Sequence, residues 1–405
     1  MKKIGFLILS LVLISNVNSQ NFNNNNSSEF LLGNGLVINS GDDYHFKLSG
    51  MIQPAFSISI DSLQNTDYLF NARHTFFSFS GFAKPERVSF LMLADFSLSS
   101  PLLDAWVAYH FNNNLSLSFG QKLISGNNRA MKYKSDNLQF HERSLLSTNF
   151  SNTGREFGLF LDLNLSLRRF NINPTFGVSS GDGRSSFGTN SRDVDYGGFK
   201  YFGRVDFYPL GYFSEGNNLQ VFDIKKENQL KFVFGIAASY NDGASNSVGE
   251  GHGDFFLYDA DGNESLPDYS QLYLDFLLKY KGFSLLAEYV DASAKNLDLA
   301  YTDENASTIL IPMQISEYLA LGESYSIQTG YVTKKGLSFD LRYESVTPEF
   351  DSNTASILGD ANSYTFGVTK YFDNNNLKMQ ASFSKIEPSI GTHQSFGEFL
   401  IQIVF

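Results

Sequence analysis

The chain has 405 residues with 30 basic and 42 acidic side chains, and no cysteine. The acidic balance argues against a nucleic-acid partner, and the missing thiols exclude disulfides, thiolate metal sites and a lipidated N-terminal cysteine. Phe and Tyr number 40 and 21, an aromatic load that suits a membrane barrel with aromatic rims.

Met1-Lys2-Lys3 is a short basic start, and Ile4 to Ser15 is an apolar run of signal-peptide length. Cleavage is expected between Ser19 and Gln20, so residues 1–19 are read as an export signal. Without Lys2 and Lys3 the balance is 28 basic against 42 acidic, a net −14. Residues 20–42 are rich in Asn and Ser and read as a flexible periplasmic leader. The remainder, 43–405, reads as one barrel domain. It has no apolar segment long enough for a transmembrane helix.

From Tyr44 onward the pattern has a period of two. In Leu337–Glu344, Leu337, Phe339, Leu341 and Tyr343 share one face, and Ser338, Asp340, Arg342 and Glu344 share the other. The last stretch, Ser395–Phe405, alternates in the same way and ends on Phe. Such a strand resembles the C-terminal signal by which outer-membrane barrels are inserted, which nominates Phe405 and the barrel-assembly machinery as its reader. Short turn signals fall at 84–86, 112–114, 281–282, 335–336 and 373–376. Long ones fall at 123–154, 181–196, 242–268, 292–322 and 348–361. Short periplasmic turns facing long external loops are an outer-membrane pattern. The fold class expected is therefore all-β: a transmembrane antiparallel β-barrel of sixteen strands. They should begin near 44, 70, 87, 103, 115, 155, 169, 197, 229, 270, 282, 323, 337, 362, 377 and 395. An even count puts both chain ends in the periplasm, and sixteen strands enclose an aqueous channel.

Several stretches resemble the phosphate-selective porin O and P family in its Bacteroidetes-type form. They are Phe46–Pro54 (FKLSGMIQP), Phe77–Gly81 (FSFSG), Leu103–Phe111 (LDAWVAYHF), Leu115–Gln121 (LSLSFGQ), Arg143–Leu145 and Phe150–Gly158 (FSNTGREFG). The resemblance covers 44–158. It implies a sixteen-stranded homotrimer in the outer membrane, embedded in its lipid, that passes small anions such as phosphate or polyphosphate. It also implies a third loop folded into the lumen and basic residues along the path. The chain departs from the family where arginines are common: Ala55 follows Gln53-Pro54, and Phe76 stands two residues after His74.

The third loop is where function is expected. Lys122, Arg129, Lys132, Lys134, Arg143 and Arg155 face only Asp136 and Glu142, a balance of +4 in an acidic chain. In a narrow lumen such groups can replace part of an anion's hydration shell. Arg143 and Arg155 flank the loop, so anchoring is an equal reading for them. On the wall, Lys47, Arg204, Lys231, Arg342 and Lys378 are basic candidates. They stand among acids such as Asp206, Asp275 and Glu398, and pairing across strands is the simpler account of most of them. No cofactor is called for. In the acidic fifth loop, Asp259, Asp261 and Glu264 offer oxygens of the kind calcium takes, without EF-hand spacing, and a solvated acidic loop is the simpler account. The six His are scattered, and no motif nominates a nucleophile. The reading is a passive porin for small anions and not an enzyme. The alternatives are a weakly selective general porin and, from another class, a barrel enzyme or surface-binding protein.

Overall fold

Alternating apolar and polar residues can bury nothing as an isolated ribbon, so the strands pair edge to edge until no edge remains. The computed structural model describes residues 26–61, 65–168, 170–184, 197–251, 253–297 and 300–405. A hairpin comes first: β1 (Asn26–Leu31) and β2 (Gly35–Ser40). Then follow β3 (Tyr44–Ile60), β4 (Thr66–Ala83), β5 (Val88–Asp95), β6 (Leu102–Asn112) and β7 (Leu115–Leu123). Next are β8 (Arg155–Leu163), β9 (Leu165–Leu167), β10 (Phe170–Ser179), β11 (Lys200–Tyr208), β12 (Lys231–Asn241) and β13 (Asp268–Tyr280). The last six are β14 (Phe283–Lys295), β15 (Gly322–Val332), β16 (Leu337–Pro348), β17 (Ala361–Asp373), β18 (Leu377–Pro388) and β19 (Gln394–Val404).

From β3 on, each strand pairs antiparallel with the next, and β19 closes on β3 through Ser395↔Ile60 to Val404↔Met51. β8 and β9 both pair with β10 and are one strand interrupted at Asn164. The barrel therefore has the sixteen strands expected, and each expected start lies within four residues of the observed one.

The side-chain period sorts chemistry by face. On β12 and β15 accessible and buried residues alternate almost without a break. Phe234, Ile236, Tyr325, Ile327, Phe339, Leu341, Phe366 and Phe399 point out and are exposed. Asp206, Asp275, Asp340, Glu344, Lys378 and Gln402 point in. An apolar exterior around a charged interior is what a barrel needs in lipid. Aromatic rings gather at both rims. Tyr325, Tyr343 and Tyr364 neighbour one another toward one end, and Phe232, Phe234 and Phe276 toward the other. No described helix is long and apolar enough to cross a membrane; the strands do so.

One expectation is corrected. The expected export signal and the leader up to residue 25 lie outside the described residues, but 26–40 is not a flexible leader. It folds as the β1–β2 hairpin, with β2 paired to β3 from Leu36↔Leu48 to Ser40↔Tyr44. Gly33 N donates to Val404 O at 2.8 Å, which ties the hairpin to the end of the barrel that carries Phe405. That end is called the near end below. The near-end turns add a feature for which the sequence reading assigns no turn. Most are short: Lys281 and Gly282 both take positive φ, as a two-residue hairpin turn requires. The link from β11 to β12, residues 209–230, is not short and lies partly inside the barrel.

Candidate pore constriction

The link between β7 and β8, residues 124–154, enters the lumen as expected. It carries two single-turn 3-10 segments, Ala130–Lys132 and Ser135–Asn137, and a short helix, Leu145–Phe150, which is called α1. Ser144 caps α1 by accepting from Ser147 N at 3.1 Å.

Arg129 is the loop's deepest anchor. Its Nε donates to Asp275 Oδ1 and its Nη2 to Asp206 Oδ1, both at 2.6 Å. Arg204 donates to the same two carboxylates, to Asp206 at 2.8 Å and to Asp275 at 2.6 Å. Two guanidinium groups and two carboxylates thus neutralise one another with almost no water contact, the condition under which buried charge is tolerated. The wall has a notch here. A Cβ on Gly235 would lie 2.7 Å from Arg129 Nη2 and still closer to Arg204 and Asp275. Gly330 leaves a similar gap for Gln139 and Asp340.

Other wall groups hold the loop's main chain. Glu288 accepts from Ala130 N at 2.7 Å, and Glu344 accepts from Leu145 N at 2.6 Å. Arg342 donates to Glu142 O at 2.8 Å, Lys378 to Asp136 O at 2.9 Å and Gln380 to Gln139 O at 2.7 Å. The fifth loop adds a clamp that its acidity alone did not reveal. Buried Glu250 accepts from the backbone N–H groups of Asn152, Thr153 and Gly154 at 2.8–2.9 Å. Above it, Leu146 and Phe150 of α1 pack with Ala244, Leu257, Ile315 and Leu319 from the facing loops.

The nominated residues therefore divide. Arg129, Arg204, Arg342 and Lys378 are buried loop anchors. Arg143 donates to Ala130 O at 2.8 Å and Tyr133 O at 3.0 Å, folding the loop on itself. Arg155 pairs with Asp104 at 3.3 Å, and Lys122 with Asp162 at 2.8 Å. Lys231 donates to Leu210 O and serves the 209–230 link. Asp259 accepts from Asp261 N and Asn263 N at 2.9 Å and organises its own turn. Among the described residues no three His, Asp or Glu side chains converge as metal ligands.

Lys47, Lys132 and Lys134 are brought together. They line a cavity of about 540 Å³ at the near end, with Tyr133, Tyr208, Asn218, Asn375 and one acid, Asp136. Lys132 is paired with Asp206 yet keeps 30% of its side chain exposed. Burial pushes its ammonium down to about 8, against the opposing pull of Asp206. Lys47 is held by Asn34 Oδ1 at 2.7 Å. Neither Lys47 nor Lys134 makes an ion pair with a described residue. Toward the far end, Arg73 bonds Glu398 and reaches Glu142 at 3.3 Å. Arg73 was not nominated from sequence. Arg73 lies at the register shift between Gln53↔His74 and Pro54↔Ala72, a feature of pairing that leaves no mark in the sequence.

No protein-family model matches this sequence, and no curated protein matches it. Solved structures do share its fold. The outer membrane channel DcaP of Acinetobacter baumannii is 11% identical over 90% of this chain and 99% of its own, with a TM-score of 0.54. The outer-membrane expressed OmpT of Vibrio cholerae is 10% identical over 91% and 99%, with a TM-score of 0.53. Its in-vitro folded trimer form is 10% identical over 90% and 100%, with a TM-score of 0.52. At such identity the likeness is one of fold, and the fold is an outer-membrane β-barrel.

Proposed function

We propose that the chain is an outer-membrane porin that lets small solutes diffuse passively and favours small anions. The observation that carries the preference is the near-end cavity, where Lys47, Lys132 and Lys134 face the single acid Asp136. In a constricted, poorly screened lumen such local charge outweighs distant acidic loops. Phosphate or polyphosphate is the anion class that the sequence resemblance suggests. A weakly selective general porin is the second reading, favoured by a specific observation: most wall charges are spent on ion pairs and on the main chain of the third loop. Nothing in the cavity nominates a nucleophile, and a diffusion path needs none.

Export through the signal, recognition of the Phe405 strand by the barrel-assembly machinery, and insertion into outer-membrane lipid complete the proposal. A homotrimer is the assembly we favour, since a barrel of similar fold exists in a trimer form. Purified, heat-modifiable protein added to a planar bilayer should give stepwise conductance. Electrical silence from folded protein would contradict the porin reading.

A further inference from the structure

The 209–230 link lies at the end where the other turns are short, yet it leaves the rim and crosses the lumen. Asn217, Val221, Phe222 and Asp223 have no exposed surface. Phe222 stacks on Tyr371 of β17 with ring centroids 5.1 Å apart. A segment that springs from β11 and β12 thus reaches a strand five places round the barrel from β12.

It is also tied down from several sides. Lys279 of β13 donates to the carbonyls of Asn217 and Gln220, both at 2.6 Å. Asp223 accepts from Gly282 N at 2.7 Å, and Lys281 N donates to Glu227 O at 2.9 Å. Glu227 accepts from Ser214 N at 2.7 Å and Asn217 Nδ2 at 2.7 Å, which holds the link to its own shape. Val221 N donates to Asn137 O at 3.1 Å, so the link touches the third loop directly. A surface turn has no need of a buried lysine to hold its carbonyls.

We propose that 209–230 is a second constriction, a fixed floor that sets the size limit for solutes at the near end of the pore. This rests on the porin reading. Asn218, Leu219 and Gln220 form one side of the near-end cavity, while Lys47, Ser49, Lys134 and Asn376 form another. Leu219 is 61% exposed, an apolar tip among amides and ammonium groups. A solute leaving the cavity passes between this tip and Lys47. Charge is thereby supplied by the third loop and wall, and width by the floor. Small hydrated anions fit that division better than bulky ones.

The test uses planar-bilayer recording of the purified protein, with heat-modifiability to verify folding. In one variant, residues 211–229 are replaced by Asn-Gly. In the other, Leu219→Cys is exposed to a bulky water-soluble thiol reagent; the wild type has no cysteine and serves as control. The replacement should raise single-channel conductance by about twofold or more, and the reagent should reduce current through Leu219→Cys alone. A silent wild type beside a conducting replacement would refute free diffusion in the native chain while supporting the floor. Unchanged conductance in a folded replacement, silence of both proteins, or a Leu219→Cys current that ignores the reagent would each overturn the proposal. If the replacement does not fold, the Leu219→Cys result decides alone.

Discussion

Arg129 reaches the barrel wall because Gly235 has no side chain. Arg204 and Asp275 lie nearest to where a Cβ at 235 would stand, Arg129 Nη2 follows at 2.7 Å, and from there Arg129 bonds both Asp206 and Asp275. A residue on β12 thus decides whether the third loop can seat.

Gly235→Ala should therefore unseat the loop. The added methyl meets Arg204 before Arg129, and displacing both guanidinium groups leaves the buried Asp206 and Asp275 undercompensated, a loss of about 3–5 kcal/mol. The variant should melt at lower temperature in detergent and become cleavable by trypsin after Arg129 or Lys132. Gly397→Ala, where a Cβ would meet nothing within 4 Å, is the control and should match wild type.

Lys132 should make the proposed anion preference depend on pH. Its ammonium, lowered to about 8 by burial, is charged at pH 7 and loses its proton as pH rises through that value. Anion preference in a salt gradient should fall between pH 7 and 9. In Lys132→Gln the preference should start lower and that step should shrink.

The Phe405 main chain continues the ladder, donating to Gly50 O at 2.9 Å and accepting from Gly50 N at 2.6 Å. Deleting Phe405 should reduce the yield of heat-modifiable barrel in the outer membrane several-fold. An equal yield would separate the terminal residue from assembly.

By strand parity the fifth loop should be extracellular and the 113–114 turn periplasmic. Ser265 and Asn113 are exposed, whereas Ser245 in the same loop is buried and is a poor labelling site. Ser265→Cys should react with an impermeant thiol label on intact cells, and Asn113→Cys should react only after the outer membrane is opened.

The barrel was legible because its signal is local. Alternation along Leu337–Glu344 or Ser395–Phe405 needs no partner to be read, and it placed β16 and β19 to within a residue. The charge excess of the third loop was legible for the same reason. What each charge does was not. Arg129 meets carboxylates 77 and 146 residues away, so its role as anchor exists only after the barrel closes. Lys47, nominated only as a wall residue, proves to share a cavity with Lys134 because the third loop crosses to β3. The 209–230 floor gave no strand or charge signal, and its Gly and Asn residues resemble those of any turn. Its depth comes from Lys279, which lies on another strand.

The proposed preference of the channel rests on solvent-accessible lysines in a constricted lumen, with Lys134 exposed and Lys47 and Lys132 half-buried. Reversal potentials in a tenfold KCl gradient test it most directly, comparing wild type with the Lys47→Gln/Lys134→Gln double variant, which leaves the buried Arg129 network intact. The wild type should prefer anions, and the double variant should shift clearly toward cations. A wild type that already prefers cations, or a double variant with an unchanged reversal potential, would contradict it.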